Sequence, residues 1–225
     1  MDKCEFSIRH WRHVIQNAMD AGYRFYSFGG WIEEPSPTAR SVILRHDIDV
    51  SPELAVRQAE VEIELGVRAT YFIRLHAKLY DAQSPSSVKY LQELSRLDVE
   101  IGLHYEPQFY ESINGNAADM LAEDIRSLSN IIGRPITGCS AHRVGTFPSL
   151  GSAAIQSAGL RYDAFTPEFV KERKYISDSA RHWREGCLCR WLGKTNHLTV
   201  LTHPVWWFEP ADIKDNLLEQ LRRGD

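Results

Sequence analysis

Six residues with side chains that hold metal ions or move protons fall at or just past the ends of apolar, strand-like segments: Asp47, Asp49, His104, His142, Asp178 and His203. Each alone has an ordinary explanation, since an Asp after a strand is commonly a turn or cap residue and a His is commonly a satisfied polar group. Together they point elsewhere. In a parallel α/β barrel the carboxyl ends of all strands meet at one mouth, so residues far apart in sequence converge there. Asp47 and Asp49 are two apart, and on a strand both face one side while His46 and Ile48 face the other. Such close carboxylates repel unless a cation or a proton separates them. A metal held by Asp49, with Asp47 left free as a base, resolves the conflict.

The elements that must position these groups alternate along the chain. Residues 7 to 20 carry apolar positions at helical spacing ahead of Gly22 and predict an amphipathic helix. Gly29 to Pro37 reads as a loop, and SVILRHDID, from Ser41 to Asp49, as the first strand. Ser51-Pro52-Glu53 opens a helix that stops at Gly66. ATYFIRL then reads as strand, Val88 to Leu97 as helix, VEIGLHY as strand, and Ala117 to Ile132 as a helix capped by Asn116 and closed by Gly133. Short strands are expected at Pro135 to Ala141, Tyr162 to Phe165, Lys174 to Ser179, Cys187 to Leu192 and His197 to Thr202, with helices at Pro148 to Ala158 and after Pro210. This alternation predicts a parallel sheet with helices outside it, an α/β barrel.

A chain of 225 residues, 43% hydrophobic and 25% charged, suits one globular domain. Residues 1 to 40 are expected to pack on a motif-bearing core of residues 41 to 208. The formal net charge of -4 gives no attraction for nucleic acid or anionic membranes. No apolar run reads as a signal peptide or membrane span, so a cytoplasmic protein is expected. The cysteines, Cys4, Cys139, Cys187 and Cys189, suggest no disulfide framework. Cys187 and Cys189 form a C-x-C pair without a second ligand pair, and are expected on one face of a strand. His10, His13, His76, His182 and His197 read as structural.

The motifs LRHDID, ATYF, EIGLHYE, SAHR, ISDSARHW and LTHP, in that order from about residue 42 to 207, resemble the NodB-homology domain of the polysaccharide deacetylases, carbohydrate esterase family 4. The resemblance is closest to the small WbmS-like deacetylase proteins of surface-polysaccharide gene clusters. It implies a distorted (β/α)7 barrel and a hydrolase that removes an N-acyl group, most often acetyl, from an amino sugar. Carried over by residue, it makes Asp47 the general base, Asp49 and His104 metal ligands, His203 the general acid and Asp178 the carboxylate that orients it. Arg143 lies near the family's base-tethering arginine, and Trp183 falls at the aromatic position of the pocket. One position departs: Gln108 stands where the family's H-x-x-x-H has its second histidine.

His142 is the expected third ligand, because imidazole is a common metal donor and a catalytic zinc usually has three protein ligands; Gln108 or water is the alternative, with Gln108 expected near solvent or substrate. One divalent ion is implied, zinc first, with cobalt, manganese, nickel or iron also suited to Asp and His donors. Amide hydrolysis needs activated water, and a proton for the departing nitrogen, which suits a charged His203. Trp206 and Trp207 read equally as a wall against a sugar ring or as core, with Trp31 and Trp191 as further candidates. The sugar could be nucleotide-linked, lipid-linked or free. An O-acyl esterase or N-deformylase would use the same groups, and a non-catalytic carbohydrate-binding barrel would explain Gln108.

Overall fold

The computed structural model describes residues 4–143 and 150–208. A sheet of parallel strands forms its centre: β1 (Arg24–Tyr26), β2 (Ser41–Ile48), β3 (Thr70–Ile73), β4 (Glu100–Tyr105), β5 (Gly138–Ala141), β6 (Tyr162–Asp163), β7 (Lys174–Ser177) and β8 (His197–Thr202). Seven run in the order β6-β5-β4-β3-β2-β8-β7, and β1 pairs with the start of β2. Every pairing is parallel. The sheet curls into a distorted barrel, and no pairing between β6 and β7 closes it among the described residues.

All of β2 is buried, as expected of a parallel strand covered on both faces. Its outward residues Val42, Leu44 and Ile48 join the main apolar core. That core lies under α1 (Ile8–Asp20), α3 (Pro52–Glu64), α4 (Pro85–Arg96) and α6 (Ala117–Ile132). Capping explains where three of these helices begin: the Ser7, Ser51 and Ser84 side chains accept the His10, Leu54 and Ser87 backbone N–H groups. His46 also points outward, into a buried polar network in which Glu62 accepts hydrogen bonds from Trp11 Nε1 (3.0 Å) and Tyr71 OH (2.8 Å).

On the inner side, Ile43, Phe72, Tyr162, Phe28 and Phe169 fill the barrel in a second cluster. Phe28 begins α2 (Phe28–Glu33), which replaces part of the loop expected from Gly29 to Pro37. Ser27 caps this helix by accepting from Gly30 N, and Gly29 N donates to Glu100 Oε2 at 2.7 Å, so a half-buried carboxylate holds it in place.

The interior leaves no room at two strand glycines. A Cβ on Gly102 would lie 2.6 Å from the Phe72 ring, and one on Gly138 2.0 Å from the Tyr162 ring. Tyr162 cannot swing clear freely because its hydroxyl donates to Glu100 Oε1 at 2.6 Å. Gly138→Ala is therefore expected to lower stability by about 1–3 kcal/mol, the usual cost of overpacking, in urea or thermal unfolding.

Short α5 (Pro107–Ser112), α7 (Ser152–Ser157) and α8 (Pro167–Val170) complete the helices. α5 occupies a stretch between the expected strand VEIGLHY and the expected helix from Ala117, where the sequence pattern predicts no element. The expected strand at Cys187 to Leu192 is instead a 3-10 turn over Leu188–Arg190, between Gly186 (φ +88°) and Gly193 (φ +76°), whose left-handed backbones bend the chain on either side. The helix expected after Pro210 lies outside the described residues, as does Pro148. No helix among the described residues is long and apolar enough to cross a membrane.

Candidate active site

The register stacks the inner residues in layers. Asp47 aligns with Phe72, and Phe72 with Gly102. Two residues further along each strand, at the carboxyl end, come Asp49, Arg74 and His104, one side-chain layer higher. His142 follows β5 and donates its backbone N–H to Tyr105 O at 2.8 Å. Asp178 follows β7 and His203 follows β8.

These ends meet. His104 Nε2 lies 3.3 Å from Asp47 Oδ2 and 3.7 Å from Asp49 Oδ1, and His203 Nε2 lies 3.7 Å from Asp49 Oδ2. Asp49, His104 and His142 each place a ligand atom within 4.8 Å of the others. His104 Nδ1 donates to Ser140 O at 2.9 Å, because a carbonyl only accepts, and this leaves Nε2 as the ring atom turned toward Asp49 and the one that would ligate an ion. Asp49 Oδ1 is buried without a hydrogen-bond partner among the described residues. Asp49 Oδ1 and His104 Nε2 facing one another, with a second imidazole beside them, fit a divalent cation. Burial, followed by the charges of His104 and Arg74, lowers the His142 pKa to about 3, which keeps that imidazole neutral as a ligand must be.

Gln108 sits on α5, half-buried, with its amide nitrogen 2.8 Å from His142 Nδ1. It is thus a neighbour of His142, and its Oε1 is buried without a hydrogen-bond partner among the described residues.

Asp47 is gripped by Arg45, two residues before it on the same face of β2. Arg45 Nη2 donates to Oδ1 (2.6 Å) and Oδ2 (2.8 Å), Nε donates to Oδ1 (3.0 Å), and Nη2 also reaches Ser140 Oγ. The guanidinium is fully buried, with Phe72 4.6 Å and Phe165 4.9 Å from ring centroid to Cζ. Burial pushes the Asp47 carboxyl up, but Arg45, with His104 and His203, outweighs it and holds the pKa at about 2. Arg143, expected near this tether, is exposed at φ +56°, and the guanidinium on Asp47 is that of Arg45.

Asp178 is completely buried and meets His203 twice: Oδ1 takes the ring Nδ1–H at 2.6 Å and Oδ2 the backbone N–H at 3.0 Å. Trp207 Nε1 donates to the same Oδ2 at 3.0 Å. Burial alone would lower the His203 pKa, but the Asp178 charge and hydrogen bond, with Asp49 and Asp47, raise it to about 9. Arg74, which the sequence reading left out, bridges Glu106 Oε1 and Asp49 Oδ1, the latter at 3.6 Å. With His104 and His203 it offsets the burial of Asp49 and lowers that carboxyl's pKa.

The aromatic candidates separate. Trp207 is fully buried, 4.8 Å from Trp11 between ring centroids, so it is core and buttresses Asp178 rather than walling a sugar. Trp183 is half-buried and stacks on Phe6 at 6.1 Å. Trp206 is half-buried, and its Nε1 has no hydrogen-bond partner among the described residues. Trp31 belongs to the inner apolar cluster, under Arg173. Trp191 is half-buried and donates to Glu185 O. His76 stacks on Phe109 at 3.7 Å and pairs with Asp124, a structural arrangement. A cavity of about 340 Å³ opens at the opposite, amino-terminal end of the strands, lined by Gly29, Glu33, Arg68, Glu100, Arg134 and Arg161 among others; the residues named for chemistry do not line it.

Neither a family model nor a curated protein sequence matches the chain. Solved structures do. A CE4 family pseudoenzyme from Bacillus anthracis is 14% identical with a TM-score of 0.53, over 84% of this chain and 63% of that one. This chain thus spans just under two thirds of that protein's length. A mutant of the pseudoenzyme with restored enzymatic activity matches at the same identity and TM-score. The chitin deacetylase from the fungal pathogen Colletotrichum lindemuthianum is 15% identical with a TM-score of 0.50, over 81% of each chain. A polysaccharide deacetylase from Bacillus cereus is 15% identical with a TM-score of 0.50, over 81% of this chain and 88% of that one. At these identities the likeness is one of fold, and with the curled parallel sheet it establishes a distorted (β/α)7 barrel of the polysaccharide-deacetylase type.

Proposed function

We propose that the chain is a metal-dependent hydrolase that removes an N-acyl group, acetyl first, from an amino sugar or saccharide intermediate. The observation that carries this reading is the grouping at one barrel mouth of an Arg45-held carboxylate, an Asp178-held histidine and the Asp49, His104 and His142 cluster between them. Asp49, His104 and His142 would hold the ion. Zinc or a similar divalent ion bound there supplies Lewis acidity, which acidifies water and polarises the acyl oxygen.

Asp47 is ionised throughout the working range, so it stands ready to accept the proton of the attacking water. A carboxylate held near 2 is a weak base, and it receives that proton readily only from strongly acidified water. Base and cation are thus needed together. Water oxygen bonds to the acyl carbon, its proton passes to Asp47, the carbon–nitrogen bond breaks, and His203 gives the nitrogen its proton. The products are a free amine and a carboxylic acid. With its pKa near 9, His203 is charged at neutral pH and able to donate. Trp206 and Trp183 are the candidates for contact with the sugar.

The pH dependence follows. The acid is the protonated imidazole, so activity falls as pH rises through the His203 pKa. Asp178→Asn removes the main cause raising that pKa, and the alkaline limb of kcat/KM is expected to move to lower pH, toward the ordinary histidine value of about 6.5. A limb left in place would separate Asp178 from the acid.

The proposal is tested by mass spectrometry of metal-loaded protein with N-acetyl, N-formyl and O-acetyl amino sugars. Amine formation from the N-acetyl compound supports it. Preference for the formyl amide or the ester would select the deformylase or esterase reading. Binding of the sugars without release of any acyl group would select the non-catalytic barrel, for which Gln108 is the supporting feature.

A further inference from the structure

The fold brings together a second set of metal donors, separate from the barrel mouth. Cys4 and His10 lie near the start of the chain, His10 in the first turn of α1, while Cys187 immediately precedes the 3-10 turn Leu188–Arg190 and Cys189 lies within it. Cys4 Sγ is 3.1 Å from Cys189 Sγ, and Cys187 Sγ is 3.5 Å from His10 Nε2. All four donor atoms lie within 4.8 Å of one another. Tetrahedral bonds of about 2.3 Å to sulfur and 2.0–2.1 Å to nitrogen give edges of about 3.5–3.8 Å, so the observed spacings need adjustments of only tenths of an ångström to one ångström.

We propose that Cys4, His10, Cys187 and Cys189 form a closed structural zinc site that staples the amino-terminal segment to the turn between β7 and β8. Three thiolates and an imidazole complete a tetrahedron and leave no open position, which is the donor set of a structural zinc. The expected reading of Cys187 and Cys189 as one face of a strand does not hold, and the partners absent from the local sequence come from the other end of the chain. Burial differs among the thiols: Cys187 is buried, Cys189 half-buried and Cys4 exposed, which gives the ion a route in. The site also backs the barrel mouth. The His10 ring stacks on Trp207 at 6.5 Å, Trp11 packs on the same ring at 4.8 Å, and Trp207 donates to Asp178.

Cobalt loading of the full chain separates this site from the one at the mouth, because only thiolate ligands give an intense sulfur-to-cobalt charge-transfer band in the near ultraviolet. The band is expected at equal intensity in the wild type and in His104→Ala, and is expected to be weaker in Cys187→Ser and in Cys4→Ser, each of which removes one of the three thiolates, the latter at an exposed position that spares folding. Alkylation of the wild type mapped by mass spectrometry needs no variant: zinc is expected to protect Cys4, Cys187 and Cys189, and a chelator to release them together. A cobalt-loaded wild type with no charge-transfer band would overturn the proposal. So would zinc-independent alkylation of Cys4 and Cys189, or a Cys4–Cys189 disulfide in protein prepared and kept reduced with zinc present.

Discussion

Asp47→Asn is expected to keep its metal and lose roughly 10²- to 10⁴-fold in turnover, the range usual for loss of a general base. The amide cannot take the water's proton, whereas Asp49, His104 and His142 are untouched. Asparagine is the informative choice because its carbonyl still accepts from Arg45, which is fully buried with no other carboxylate in hydrogen-bond contact among the described residues. Alanine would leave the guanidinium unpaired at a cost of about 3–5 kcal/mol and confuse chemistry with stability. Metal content by elemental analysis and acyl release by mass spectrometry decide the outcome. Full turnover in the variant would remove Asp47 from the base role.

His203→Ala should lower turnover by roughly 10²- to 10⁴-fold on an amide, because the nitrogen then departs without its proton. The size of the loss should depend on the leaving group. An acylated phenol leaves as a stable anion and needs little help, so the same variant is expected to lose far less on an aryl ester. Equal losses on amide and aryl ester would mean that His203 positions the substrate or metal, and an unchanged rate on the amide would place the acid elsewhere.

The strands and long helices were legible because their signals are local. Ala117 to Ile132 shows apolar spacing, an Asn cap and a terminal glycine, and the helix has those bounds. The elements misread had signals that depend on distant partners. Residues 28 to 33 look like a glycine-rich loop until Glu100, far along the chain, receives the Gly29 N–H. Cys187 to Leu192 alternates like a strand, but its cysteines turn toward Cys4 and His10.

The site shows the same division. Strand alternation placed Asp47 and Asp49 on one face, and the structure puts both at the mouth. The same rule places Arg45 on that face, whereas motif position points to Arg143, which is exposed while Arg45 holds Asp47. Arg74 could have been found as the last inward residue of ATYFIR. Trp207 could not, since only the packing of α1 against the barrel shows that it is core. Gln108 marks a missing ligand in the motif, but its contact with His142 depends on α5, for which the sequence carries no periodic signal.

The central claim is metal-dependent cleavage of an amide at this mouth. Its most direct measurement is turnover of the wild-type chain on an N-acetylated amino sugar, with amine and acetate quantified together, before chelation, after it and after zinc is returned. Equal amounts of both products, lost on chelation and restored by zinc in the wild type but not in Asp49→Ala, are the result predicted. Undiminished release from protein shown by elemental analysis to hold no metal would contradict it.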